Sequence, residues 1–371
     1  MTINANDKVV MTLDAGGTNF VFSAIQSGNQ IVDEIVFSSE ADNLDKSLKN
    51  IIDGFTLIKN KLNVPPDAIS IAFPGPADYP NGILGDLGNL PAYRGGVALG
   101  PLLKDKFNLP VFINNDGDLY AYGEALWGFL PWINNELEKS GNPKRYKNLI
   151  GITLGTGFGF GLAVNGELYI GDNSMAGEIW LLRNKISPDE YVEEHASIRG
   201  VRRVYSDKAK IKFSESPSPK EIYEIALGLI PGNKNAAIEA YKTMATVVGD
   251  AIANAVTLLD CNVVIGGGLA GASSLFMPFL IEEMRSYYVK SSDGTRVKRL
   301  MAEIYNLTDE NDMKKFLKDE SAEINVYGTN KKVKYNSSKK IGVGISQLGT
   351  SKAIALGAYS FAINELNKHD K

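Results

Sequence analysis

Leu13-Asp14-Ala15-Gly16-Gly17-Thr18-Asn19-Phe20 joins two runs of apolar and β-branched residues, 8–13 and 20–25, through a pair of glycines. Two strand-like runs about a Gly-Gly turn read as a β-hairpin. A tip of this composition accepts positive φ and lets a ligand approach the backbone, and its successive amides can converge on one anion. Thr18 adds a hydroxyl. Asp14, at the end of its strand, is placed to hold Mg2+ through water, because that ion takes few carboxylates and keeps several waters. One such turn is equally an ordinary hairpin. The pattern occurs twice, however: Leu154-Gly155-Thr156-Gly157-Phe158 interrupts the runs 148–154 and 158–164 in the same way. Two facing turns of this kind, with Thr156 and Gly157 at the second tip, can hold a triphosphate from both sides.

Outward from these turns the two halves of the chain follow one scheme. After the first hairpin come a strand-like run at 31–38 and helical spacing over 43–62, with Leu44, Leu48, Ile51, Ile52, Phe55 and Ile58 on one face. Strands at 69–73 and 111–114 follow, then a helix over 118–130. After the second turn come strands at 158–164 and 167–170, a helix over 236–259 and a strand at 263–265 that ends in Gly266-Gly267-Gly268. Such alternation predicts α/β layers with a mixed sheet. Two similar halves predict two related domains with a cleft between them. Segments 134–147, 206–219 and 291–340 read as surface elaborations, and the Lys-rich end of the last, 331–340, as a solvated face.

Composition narrows the chemistry. The 371 residues suffice for two domains, and 44% hydrophobic with 22% charged residues is ordinary for a soluble globular chain. A formal charge of -4 gives no basic excess for a nucleic-acid partner. The single cysteine, Cys261, excludes an intrachain disulfide and a cysteine-rich zinc site. Two histidines, His195 and His369, leave no His cluster, so proton transfer falls to carboxylates. The first seven residues lack the apolar core of a signal peptide. Residues 263–281 are uncharged and long enough to span a bilayer, with Gly267 and Gly271 at membrane-dimer spacing. They also hold four glycines, two serines and Pro278, so a buried strand, turn and helix is the better reading. A cytoplasmic protein with no membrane partner is expected.

The carboxylates follow from position. Asn114-Asn115-Asp116 succeeds one strand and precedes a helix, where α/β sheets bind ligands. Asn and Asp are also preferred helix caps, and one residue can do both. A carboxylate beside a bound hydroxyl can take its proton as the oxygen attacks a γ-phosphate. Glu178, after Ala176-Gly177, and Glu193, opening Glu193-Glu194-His195-Ala196-Ser197, suit a polyhydroxylated ligand because carboxylates accept hydrogen bonds. Gly266, Gly268 and Gly271 match the spacing G-x-G-x-x-G after a strand, which suggests a dinucleotide or flavin. The alternative is a flat glycine surface for a purine and its ribose, and the two earlier turns favour it.

Together these segments resemble the ROK family (repressor, open reading frame, kinase). Asp14-Ala-Gly-Gly-Thr18 is similar to its first phosphate motif, Phe73-Pro-Gly-Pro-Ala-Asp78 to its G-x-P-G-P-[VA]-D segment, and Asn89-Leu90-Pro91 to the loop after it. Asn115-Asp116 resembles the family's Asn-Asp pair, Leu154-Gly-Thr-Gly157 its second phosphate loop, and Ala176-Gly-Glu-Ile179 the start of A-G-E-I-G-H. Glu193-xxx-Ser197, Ile265-Gly-Gly-Gly268, and Leu348-Gly349 with Gly357-Ala358 resemble the remaining segments, all in family order. The resemblance implies a two-domain actin-like ATPase (ribonuclease H-like) fold with an interdomain cleft. One domain would comprise 1–127 with 356–371, the other 128–355. It implies ATP-dependent phosphorylation of a hexose or N-acetylhexosamine, at the 6-hydroxyl in the usual reaction. Asp116 would be the base. Gly75, Asn89, Asn115, Glu178 and Glu193 would hold sugar hydroxyls, and Asp14, Gly16, Gly17, Thr18, Thr156, Gly157, Gly266, Gly267 and Gly268 the Mg-ATP. A homodimer is also expected by resemblance.

The departures are specific. Trp180 and Leu181 stand where the family has Gly and His, and its zinc motif C-x-C-G-x-x-G-C is missing, which implies a branch without structural zinc. Asn19 and Ser351-Lys352 replace residues that are usually basic and acidic. A regulator of this family would carry a helix-turn-helix ahead of Asp14, for which there is little room. A catalytically weak or inactive sugar-sensing protein is the alternative reading.

Overall fold

The computed structural model describes residues 7–75, 77–85 and 90–369. The chain opens with β1 (Val9–Ala15), β2 (Asn19–Gln26) and β3 (Asn29–Ser38), an antiparallel meander, followed by α1 (Leu44–Lys61). β4 (Ala68–Ala72) then pairs parallel with β1. After α2 (Leu99–Phe107), β5 (Val111–Asn114) pairs parallel with β4. The sheet order is β3-β2-β1-β4-β5.

The scheme then repeats after α3 (Asp116–Leu126) and α4 (Phe129–Lys139). β6 (Leu149–Leu154), β7 (Phe158–Val164) and β8 (Glu167–Leu168) lead to α5 (Ile198–Ala209), α6 (Pro219–Leu227) and α7 (Lys234–Leu259). β9 (Asn262–Gly266), α8 (Ser273–Met284), β10 (Glu303–Asn306), α9 (Glu310–Leu317), β11 (Lys340–Ile345) and α10 (Thr350–His369) complete it. This sheet runs β8-β7-β6-β9-β11-β10, the first order with one strand added at the edge.

β1 is buried along both faces, one of them wholly apolar and the other carrying Thr12 and Asp14 after Val10. Val9, Met11, Leu13 and Ala15 join Ile51, Phe55 and Ile58 of α1 in one core. Val10 points the other way, as strand alternation requires, and meets Leu356, Tyr359, Ala362 and Ile363 of α10. Each fully buried large apolar side chain in these layers contributes roughly 1.5–3 kcal/mol. α1 starts where the Asn43 side chain accepts from the Lys46 amide at 3.1 Å. α3 and α10 approach closely at two glycines. An added Cβ on Gly123 would collide with the Ala353 carbonyl, and one on Gly357 with that of Leu119.

Packing separates the described chain into two compact units. One runs to Leu130 and includes Phe160–Gly177 and the chain from Gln347; the other holds Pro131–Gly159 and Glu178–Ser346. The expected boundaries, 1–127 with 356–371 against 128–355, miss Phe160–Gly177. That segment belongs to the first unit because Gly161 lies against the backbone of Gly117 and Asp118, and Glu167 accepts from Asn364 at 2.8 Å. α10 also begins at Thr350, ahead of residue 356.

Other expectations need correction. The single helix over 118–130 is two helices, because the buried Glu124 carboxylate accepts from the Phe129 amide at 2.7 Å and restarts the chain as α4. α4 extends to Lys139 with Ile133 and Leu137 buried, so 134–147 is not wholly a surface elaboration. Nor is 291–340: β10 pairs parallel with β11 and buries Ile304, and α9 buries Phe316. The lysine run ends in a buried lysine, not a solvated one. The Lys340 ammonium donates to the carbonyls of Lys315 at 2.7 Å and Lys318 at 2.9 Å. The strand expected at 167–170 is two residues long. Among the described residues no helix is long and apolar enough to cross a membrane.

Candidate active site

Parallel pairing brings the first group of candidates to one sheet edge. In register, Asp14 of β1 lies opposite Ala72 of β4, and Ala72 opposite Asn114 of β5. The carboxyl ends of three strands therefore place Asp14, the Phe73-Pro74-Gly75 loop and Asn115-Asp116 side by side. β1 and β2 form the expected hairpin, closed by the Gly16 amide donating to the Asn19 carbonyl at 3.0 Å. Ser39 holds the exposed tip. Its hydroxyl donates to the Gly17 carbonyl at 2.7 Å and its amide to the Thr18 carbonyl at 2.9 Å. Among the described residues the Gly17 and Thr18 amides have no acceptor, which is what an anion nest requires.

Asn115 and Asp116 divide the work that one residue was expected to share. Asn115 is the cap of α3, its side-chain oxygen accepting from the amides of Gly117 at 2.8 Å and Asp118 at 3.4 Å. Asp116 is the first helical residue, and among the described residues its carboxylate accepts from backbone alone, at 2.9 Å from the Gly117 amide. It is exposed to solvent yet surrounded by enough protein that desolvation raises its pKa, opposed by hydrogen bonds from the backbone. Asp14 is half-buried, and burial first, then the charges of Asp116 and Glu34, raise its pKa to about 7. Tyr79 was not anticipated. Its hydroxyl donates to the Phe73 carbonyl at 3.0 Å and accepts from the Asn115 amide group at 3.3 Å, which fixes the loop carrying Gly75. No sequence pattern announces that role. Asn89 lies outside the described residues.

The second unit gathers its own group. The turn Gly155-Thr156-Gly157 is closed by the Gly155 amide on the Gly157 carbonyl at 3.0 Å, with Thr156 exposed. Glu193 Oε2 accepts from the Phe158 amide at 2.9 Å, and a Cβ on Gly157 would stand 2.7 Å from that oxygen. Gly267, at φ +87, lies against the Leu154 backbone so closely that a Cβ would collide with it; Gly268 is exposed, and a Cβ there would meet open space. Glu178 immediately precedes one 3-10 turn, Ile179–Leu181, and Glu193 sits within a second, Val192–Glu194, that packs on the first. The Ser197 hydroxyl donates to the Glu193 carbonyl at 2.8 Å while accepting from the Gly200 amide to cap α5.

The pattern that defines the ROK family matches residues 10–307. The chain belongs to the ROK family. A crystal structure of glucokinase from Parabacteroides distasonis superposes with a TM-score of 0.87 at 52% identity, covering 98% of this chain and 99% of that one. The glucokinase of Halalkalibacterium halodurans is 25% identical over 324 residues, 78% of this chain and 89% of its own length. The N-acetyl-D-glucosamine kinase of Photobacterium profundum is 27% identical over 282 residues, 71% of this chain and 85% of its own length. The fold is the actin-like ATPase fold of ROK sugar kinases, as the resemblance implied.

The residues present fit Mg-ATP on chemical grounds. Unpaired amides at the first tip suit phosphate oxygens. Asp14, a carboxylate held up in pKa by burial and by a second carboxylate, is the kind of group a cation relieves. Among the described residues no group of three or more His, Cys, Asp or Glu is placed to hold a metal ion by itself.

Proposed function

We propose that this ROK sugar kinase transfers the γ-phosphoryl group of ATP to the 6-hydroxyl of a hexose, with glucose as the first candidate and an N-acetylhexosamine as the second. Likeness to a glucokinase at 52% identity over nearly the whole of both chains supports the choice of sugar. The position of Asp116, one residue past the Asn115 cap with its carboxylate left open, is the observation that carries the choice of base.

In this reading the Asp116 carboxylate accepts the proton of the sugar hydroxyl as its oxygen bonds to the γ-phosphorus and the bond to the bridging oxygen breaks, releasing ADP. A raised pKa makes the carboxylate a better proton acceptor near neutral pH. Gly75, Asn115, Glu178, Glu193 and Asn89 hold sugar hydroxyls. The amides of Gly17 and Thr18, at the tip that Gly16 closes, and those of Thr156 and Gly157 hold phosphate oxygens, and Gly266, Gly267 and Gly268 carry the adenosine. Mg2+ bound with the nucleotide supplies charge neutralisation at the phosphates, and Asp14 would hold it through water. The protein works as a homodimer.

Coupled ADP release with Mg-ATP against glucose, mannose, fructose, allose, N-acetylglucosamine and N-acetylmannosamine tests this. Turnover with glucose above the others supports the proposal. Binding of a sugar without turnover of any would replace it with a sugar-sensing protein.

A further inference from the structure

Trp180 holds Glu178. Its indole N–H donates to Glu178 Oε2, and among the described residues the other carboxylate oxygen has no donor. The indole cannot swing freely, because its ring meets Tyr191 edge-on with centroids 5.5 Å apart at 89°. Tyr191 is itself held: its carbonyl accepts from the Asn184 side chain at 3.3 Å. Asn184 is completely buried and ties the segment together. Its oxygen accepts from the amides of Ile186 at 3.1 Å and Ser187 at 3.3 Å, and its nitrogen lies 2.8 Å from His195 Nδ1. The segment between the two 3-10 turns is therefore braced from within, and the brace ends on Glu178.

A carboxylate with one oxygen tied by a charge-assisted bond presents its other oxygen in a single direction. We propose that Trp180 is a positioning residue that sets sugar selectivity by orienting Glu178 for one hydroxyl of the substrate. This rests on the sugar kinase reading above. An oriented acceptor discriminates by leaving itself unpaired when the matching hydroxyl is missing or inverted.

Trp180→Phe keeps a ring against Tyr191 and removes the donor. The expected result is a rise of about tenfold in KM for the preferred sugar, the size of one charge-assisted hydrogen bond. The KM for ATP and kcat stay within about twofold, and the preference over the sugar lacking or inverting one hydroxyl shrinks. With Glu178→Gln already in place, Trp180→Phe has little further effect, because the two act as a unit. The contact has its own readout. Of three tryptophans, the indole 15N–1H signal lost in Trp180→Phe belongs to Trp180, and it moves in Glu178→Gln. A signal that stays put overturns the proposal whatever the turnover. A signal that moves while Trp180→Phe keeps its sugar KM and selectivity leaves Trp180 as packing only, and also overturns it. If no sugar is turned over, the kinase reading fails separately. Calorimetric sugar affinity then replaces KM, and an affinity unchanged by Trp180→Phe overturns the proposal.

Discussion

Asp14 and Asp116 share the carboxyl edge of the first sheet, and the charge of Asp116 acts with burial to raise the Asp14 pKa to about 7. The folded value lies above the unfolded one, so folding holds a proton on Asp14. That contribution to stability is complete below the unfolded pKa and is lost as pH rises from about 4 through about 7. Asp14→Asn has no such loss. Its stability relative to the unchanged protein should increase between pH 5 and pH 8, by on the order of 2 kcal/mol after allowing for the partial exposure of the group. Melting curves of both proteins at the two pH values check this; parallel pH profiles would contradict it.

Gly157 leaves room for Glu193. A methyl group there would press on Glu193 Oε2 at 2.7 Å and strain its bond from the Phe158 amide. Gly157→Ala should raise the KM for sugar by about tenfold, the size of one charge-assisted hydrogen bond, with Tm little changed. Steady-state kinetics with sugar and ATP varied in turn check it.

Gly267 is required twice over, by its φ of +87 and by the Leu154 backbone beside it. Gly267→Ala should cost about 2 kcal/mol or more and lower Tm by at least about 2 °C. Differential scanning calorimetry reads the loss directly.

Much of this architecture was legible in the sequence where local chemistry sets it. The bounds of Val111–Asn114 and Phe158–Val164 agree with their apolar runs, and the hairpin tip at Gly16-Gly17 follows from its glycines. The break between α3 and α4 was hidden because a buried carboxylate five residues away causes it, and helical periodicity carries no trace of that bond. The strand Glu303–Asn306 was hidden for a related reason: it is a sheet edge, recognisable only through its partner Lys340–Ile345. At the site, the glycine turns and the Asn115-Asp116 pair stood out by composition. Trp180 stood out only as a departure from the family pattern, not for its bond to Glu178; Ser39 and Tyr79 did not stand out, because they act through hydrogen bonds that only the fold creates.

The most direct test compares the unchanged protein with Asp116→Asn in the coupled assay, with glucose and Mg-ATP, alongside glucose binding by calorimetry. The expected result is a fall in kcat of about 10²–10⁴ with glucose affinity within a few-fold of the original. An Asp116→Asn protein that turns glucose over at close to the original rate would contradict the assignment of Asp116 as the base.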